Sequence, residues 1–266
     1  MTGLPRIFES LPDPYLRLHD GTEPADDHGL DELARRLGYA FARPALLRVA
    51  LTLGSWANEH AAAGWPSNAS LEFFGDAVLG LVAADALWQR FPELAEGELT
   101  RLRALLVSER SLASAAETLE LGQFLYLGRG DLKRGGREHA STLADTVEAV
   151  LGAVFLDARA DGRKPLRAAA EVFARVFGER LRAIEPESGL DPKSRLQHWA
   201  QARHRITPSY VRVGDKPPPS DPRWRARVEL HFPDGRVEIL GEGEGRNLKL
   251  AEREAALAAL EHIDED

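Results

Sequence analysis

Leu71-Glu72-Phe73-Phe74-Gly75-Asp76-Ala77-Val78-Leu79 and Leu143-Ala144-Asp145-Thr146-Val147-Glu148-Ala149-Val150-Leu151 are the stretches on which the reading of this chain turns. Each is apolar almost all the way round, the pattern of a helix buried on every side. Each nevertheless carries two acids on one face. Glu72 and Asp76 are four residues apart, and Asp145 and Glu148 are three apart. Both spacings return a side chain to the same helical face. Neither helix meets a Lys or Arg until Arg90 and Arg159, past its apolar body.

A carboxylate buried without a partner costs several kcal/mol, so buried acids pair with a cation or hold a metal. These two helices supply no cation. Four acids facing one another repel unless a divalent ion lies between them, and oxygen ligands without His or Cys favour Mg²⁺ or Mn²⁺. Such an ion activates water and stabilises charge on a phosphoryl group. Taken singly, the acids also have structural readings. Thr142-Leu143-Ala144-Asp145 fits a capping box, which would make Asp145 a helix cap. Glu72 falls in a first turn, where the helix dipole favours acids. The four together favour a metal site, but the pattern alone does not separate an endonuclease from another Mg²⁺-dependent phosphate enzyme.

Outward from these helices, periodicity predicts an all-α segment from Leu30 to about Leu181. Leu30, Leu33, Ala34 and Leu37 share one face, as do Leu46, Leu47, Ala50 and Leu51. Further helices are expected near 69–90, 98–107, 109–119, 142–157 and 165–184. Residues 1–28, rich in Pro, Asp and Gly, read as an irregular extension, and 185–190 as a linker. The texture then changes. Asp191-Pro192 offers an N-cap and a first-turn proline for a helix over about 192–203. Strands are expected at 209–213 and 224–232, with Ala226, Val228, Leu230 and Phe232 on one face. Past the turn Pro233-Asp234-Gly235, Val237 and Ile239 are expected to continue that alternation. A glycine-rich loop over 241–245 and a closing helix over about 248–262 complete an α-β-β-β-α order. The predicted division is 1–28, 29–184, 185–190 and 191–263.

The 266 residues suit two modest domains or one large one. With 44% hydrophobic and 29% charged residues the chain can bury a core. It has no Cys, which excludes disulfides, thiolate catalysis and Cys-based metal sites. The eight His form no ligand-spaced pair, and the glycines at 128, 130, 135 and 136 lack the Lys-Ser/Thr of a phosphate loop. The longest apolar run, 77–88, is too short to span a bilayer and contains Asp85, so a cytoplasmic protein with no membrane partner is expected. A net charge of −8 argues at first against a nucleic-acid partner. That total hides an asymmetry. Residues 191–253 hold 13 Lys and Arg against 9 Asp and Glu, a net of +4.

The two acidic stretches resemble the signature of the ribonuclease III family. So do Gly152-Ala153-Val154-Phe155-Leu156-Asp157 after the second stretch, and Glu96-Gly97-Glu98-Leu99-Thr100-Arg101 and Leu127-Gly128-Arg129-Gly130 between the two. The C-terminal segment resembles a double-stranded-RNA-binding domain. The resemblance spans about residues 30–263. It implies a helical endonuclease domain that forms a homodimer and cleaves double-stranded RNA with Mg²⁺, or Mn²⁺ in its place, leaving 5′-phosphate and 3′-hydroxyl ends. By motif position it implies Glu72, Asp145 and Glu148 as metal ligands, and Asp76 and Glu148 as the catalytic pair. It also implies Glu96 as an accessory acid near the scissile strand, and Phe73 as a dimer contact whose structural alternative is core packing. In the second domain it points to Gln197, Arg246 and Lys249 for RNA contact, with RNA processing as the setting. The chain departs from the family pattern at Ala69, usually acidic, and at Leu53, usually His. It departs again at Asn247 and Leu248, usually Ser and a basic residue, and in the proline-rich loop 215–222.

Overall fold

In the computed structural model, which describes residues 29–218 and 222–264, the chain divides into two compact units, Met1–Pro186 and Glu187–Asp266. The expected extension over 1–28 and three residues of the proline-rich loop lie outside the described residues.

The first unit is helical: α1 (Leu30–Leu37), α2 (Pro44–Ala50), α3 (Gly54–Glu59), α4 (Ala69–Arg90), α5 (Glu96–Leu106), α6 (Glu109–Thr118), α7 (Arg129–Lys133), α8 (Ala140–Ala160) and α9 (Pro165–Ala183). The apolar faces read from the sequence are the buried ones: Leu30, Leu33 and Leu37 on α1, and Leu46, Leu47, Ala50 and Leu51 at α2 and its end. Helix α8 lies at the centre, packing against α4, α6, α9 and α2. It starts two residues before the predicted 142. His139 therefore stands at the N-cap, and Asp145 falls in the second turn instead of serving as a cap. The capping-box reading of Asp145 is thus overturned. The short helices α3 and α7 were not predicted individually; at six and five residues neither is long enough to show a helical period.

The second unit runs α10 (Pro192–His204), β1 (Ser209–Arg212), β2 (Trp224–His231), β3 (Val237–Gly245) and α11 (Leu248–Asp264), with an antiparallel sheet in the order β1-β2-β3. Asp191 caps α10 as expected, accepting from the backbone N–H of Lys193 (3.1 Å) and Ser194 (3.3 Å). Two expectations for β3 fail, for linked reasons. The stretch 241–245 is strand, not loop. Gly241, Gly243 and Gly245 alternate toward α11, where a Cβ on any of them would strike backbone at Ala259, Ala255 or Ala251. Three glycines at strand period thus face three alanines at helix period, which lets the two backbones touch. Upstream, Val228 pairs with Gly241 but Glu229 with Ile239, so Leu240 is an extra residue on β3. This bulge reverses the side-chain phase. Leu240 turns to the core, and Val237 and Ile239 are exposed instead of continuing the buried face of Ala226, Val228 and Leu230.

Candidate active site

The site is assembled by a close crossing of α4 and α8. A Cβ added to Gly75 would overlap the backbone carbonyl of Glu148, and one on Gly152 would lie 2.5 Å from the carbonyl oxygen of Leu71. Glycine at both positions removes the side-chain layer that normally separates helices by 8–10 Å. Phe74 and Phe155 flank the crossing edge to face, with centroids 5.4 Å apart. The crossing carries Glu72, one turn before Gly75, and Asp145 and Glu148, ahead of Gly152, to a common point.

There, Glu72, Asp145 and Glu148 each offer a carboxylate oxygen, and the three oxygens lie within 4.8 Å of one another. All three side chains are half-buried. Among the described residues no Lys or Arg pairs with them. Burial, followed by the negative charges of Asp76, Asp145 and Glu72, pushes the Glu148 carboxyl up to about 7. Burial and Asp145 raise Glu72. Burial and the nearby Glu109 raise Asp145. Crowded acids whose carboxyls are pushed up by burial and by neighbouring acids are the electrostatic mark of a place arranged for positive charge. The donors also fit a hard divalent ion: all are oxygens, and two ligands on opposite sides of an ion at about 2.1 Å stand about 4.2 Å apart.

The remaining predicted residues divide. Asp76 is exposed one turn beyond Glu72. It is outside the group of three but close enough to act on Glu148. Glu96 is exposed at the start of α5, where its carboxylate accepts from Thr100 Oγ1 at 2.9 Å, and it is not part of the cluster. Phe73 is 82% exposed, which removes core packing within this chain as its role. In the second unit Gln197 is exposed on α10 beside buried Leu196. Arg246 and Lys249 are exposed at the start of α11, and Asn247 Oδ1 caps that helix by accepting from Leu250 N (2.9 Å).

Sequence reasoning missed Glu109, whose only signal was an acid following Ser108, the N-cap of α6. It also missed the role of Gly75 and Gly152, glycines in the middle of apolar helices where propensity disfavours them. That disfavour was the available signal.

Comparison with known proteins bears on both units. A family model described as Ribonuclease-III-like matches residues 43–170, and one described as Double-stranded RNA binding motif matches 192–263. The chain is 42% identical over 233 residues to Ribonuclease 3 of Xylella fastidiosa strain 9a5c, covering 86% of this chain and 94% of that protein. It is 40% identical over 237 residues to Ribonuclease 3 of Idiomarina loihiensis, covering 89% and 96%. The solved nuclease domain of ribonuclease III from Campylobacter jejuni aligns with a TM-score of 0.51 at 35% identity, covering 58% of this chain and 97% of that domain.

Proposed function

The chain belongs to the ribonuclease III family and is an endoribonuclease of that type with a double-stranded-RNA-binding domain, and on this premise we propose how its own residues do the work. The substrate is double-stranded RNA. Its phosphodiester bonds are hydrolysed with Mg²⁺, or Mn²⁺ in its place, to leave 5′-phosphate and 3′-hydroxyl ends. The observation that carries this reading is the meeting of Glu72, Asp145 and Glu148 within 4.8 Å on two helices whose cations, Arg90 and Arg159, lie only in their last turns.

Those three residues would hold the divalent ion. A bound ion there supplies a Lewis acid for the phosphoryl oxygen and lowers the pKa of a bound water. Asp76 and Glu148 form the acid–base pair. Asp76 presents an exposed carboxylate close enough to act on Glu148, and Glu148, whose carboxyl burial and its acidic neighbours push up to about 7 while no ion is bound, would give up that proton as the ion binds. Glu96 is an accessory acid toward the cut strand. In the second unit, Gln197 on α10 and Arg246 and Lys249 at the start of α11 touch the duplex. A-form RNA is recognised there through its shape, phosphates and 2′-hydroxyls more than its bases.

Two copies form the working enzyme. Phe73, Leu81 and Trp88 are exposed large apolar side chains on one stripe of α4, and Ala77 and Ala84 complete that stripe. A stripe of this size fits an interface, with Phe73 reaching into the partner. Residues 29–184 are the nuclease domain and 191–263 the RNA-binding domain, joined by 185–190. The setting is cytoplasmic RNA processing or decay. Among the described residues no helix is long and apolar enough to cross a membrane.

The test is cleavage of a long RNA duplex with Mg²⁺ by the native chain and by Glu148→Ala. Cleavage by the first and none by the second is expected. Equal cleavage by both, or duplex binding without cleavage in either metal, overturns the reading.

A further inference from the structure

The glycine-rich stretch 128–136 takes no part in the chemistry above, yet side chains of α3 pin it in place. Gly128 N–H donates to Ser55 Oγ (3.1 Å), and Arg129 N–H donates to Glu59 Oε1 (2.9 Å), so a carboxylate sits on the first turn of α7. The Ser55 hydroxyl donates in turn to the Asp131 carboxylate, which also holds Arg134 Nη2 at 2.6 Å. The backbone closes the far side, where Gly136 N–H donates to the Asp131 carbonyl at 2.9 Å. Gly128 leaves no room for slack. A Cβ there would lie 2.6 Å from Glu59 Oε1 and 2.9 Å from the Ser55 carbonyl oxygen.

This fastening has a consequence for charge. The Arg134 charge is taken up by Asp131. Arg129 and Lys133, four apart on α7, are both exposed, and among the described residues neither is paired with a carboxylate. Seven residues after Lys133 the chain enters α8, whose second turn carries Asp145. A nuclease whose site is a cluster of carboxylates repels the phosphates it must hold close, so cations elsewhere on the same unit have to position them. Cations on a pinned turn lose less freedom on binding than cations on a loose loop.

We propose that Ser55 and Glu59 are positioning residues that hold Arg129 and Lys133 in place to grip the phosphate backbone of the RNA duplex. The inference rests on the duplex-cleavage reading above. It adds a contact made by the nuclease unit itself, and it assigns the task of shaping that contact to residues that never touch RNA.

The experiment is steady-state cleavage of a long RNA duplex by the full chain with Mg²⁺. It compares the native protein with Ser55→Ala, Glu59→Gln, Arg129→Ala, Lys133→Ala and the double variant Ser55→Ala/Arg129→Ala. Each single variant is expected to raise KM about threefold to tenfold and leave kcat within about twofold. Arg129→Ala should also flatten the salt dependence of binding by about one unit of slope. The double variant should lose less than the product of the two single losses, because part of the anchor's effect runs through Arg129 and the rest through Lys133. A thermal midpoint that falls with KM unchanged overturns the proposal, as does a double variant whose losses multiply. Should Ser55→Ala fail to fold, the exposed Arg129→Ala and Lys133→Ala decide: unchanged KM in both overturns it. A native chain that does not cleave duplex RNA overturns the parent reading and this inference together. A cleaving chain with unaffected variants overturns this inference alone.

Discussion

Helix α8 carries inward-placed carboxylates near both ends, and the two ends treat them in opposite ways. Asp157, near the C-terminal end, is fully buried. It accepts from the Tyr39 hydroxyl (2.9 Å) and from the backbone N–H of Ala42 (3.0 Å) and Arg43 (2.8 Å), and it pairs with Arg163 Nη2 at 2.6 Å. Arg163 also lies over the Tyr39 ring, 4.7 Å from its centroid. Asp145 and Glu148, toward the other end, are less buried but have no cation among the described residues, and their carboxyls are raised by burial and by neighbouring acids. Burial of an acid therefore does not distinguish structure from function here. What distinguishes them is whether the fold supplies the donors. Asp157 is fully provided for and ties the segment between α1 and α2 to the core. The Glu148 end is left wanting positive charge, which an ion from solution can supply.

Exchanging the two kinds of acid for neutral side chains separates them most sharply. Glu148→Gln should lower kcat by up to about 10⁴-fold, the upper range for one acid–base group. It should leave the metal-free protein as stable as the native chain or more so, because it removes a carboxylate that the fold does not neutralise. Duplex cleavage and thermal melting in chelator measure both halves. Asp157→Ala should do the reverse. It takes the acceptor from the backbone N–H groups of Ala42 and Arg43, leaves the Tyr39 hydroxyl only the Val154 carbonyl at 3.3 Å and Arg163 only its pairing with Asp161 and the Ala40 carbonyl, and should cost about 3–5 kcal/mol of stability whether or not metal is present. Denaturant melts read that loss. A stable Asp157→Ala variant would mean that the donors around it find water as easily as the carboxylate.

The contrast also marks how much was legible in the sequence. Both acidic stretches, the helical run and the α-β-β-β-α order follow from periodicity and from residues such as Asp191-Pro192, because these signals are local. Asp157 was visible as part of a motif, but its partners Tyr39 and Arg163 are not on its own stretch of helix, and no spacing rule joins Tyr39 to Asp157 across more than a hundred residues. The same limit hid the crossing of Gly75 and Gly152, which is a tertiary contact between two helices that each look complete alone. It hid the phase reversal at Leu240 too. A bulge is defined by the partner strand, and within β3 the alternation of Val237, Ile239 and Gly241 looks unbroken. Asp76 and Glu96 lie outside the cluster that helical spacing alone suggested. Helical spacing put Asp76 beside Glu72, yet among the described residues the acids that converge closely enough to share one ion are Glu72, Asp145 and Glu148.

Metal and pH sharpen the comparison at the next level of effect. The folded-state carboxyl of Glu148 is raised to about 7, above its ordinary 4.5. Without metal, its contribution to stability is therefore fully present below its unfolded value and is lost as pH rises through about 7. Glu72 and Asp145 act in the same direction. Mg²⁺ competes with those protons. It should raise the melting stability by about 2.7 kcal/mol at a hundredfold excess over its Kd near pH 8, and by clearly less near pH 6. Melting curves at the two pH values, with Mg²⁺ and with chelator, measure this. A gain that is equal at both, or that persists in Glu148→Gln, would place the ion elsewhere.

The smallest expected effect belongs to Asp191, a third carboxylate whose donors come from the chain itself, here at the surface. It caps α10 through two backbone N–H groups and takes the Ser194 hydroxyl at 2.7 Å. The Ser194 hydroxyl, followed by those amides, holds its carboxyl below the ordinary 3.8. Stability from this cap is thus present above that ordinary value and is lost as pH falls through the lower folded value, the opposite sense to Glu148. Asp191→Ala should cost about 1 kcal/mol near neutral pH, as for other N-caps, and metal should leave that figure unchanged. Hydrogen exchange of the first-turn amides of α10 is the local readout, since a loss this small is concealed in a melt of the whole chain. Faster exchange confined to α10, with cleavage chemistry untouched, would place Asp191 with Asp157 among acids that the fold satisfies. A metal-dependent change at α10 would break the rule that missing donors, not buried charge, mark the site.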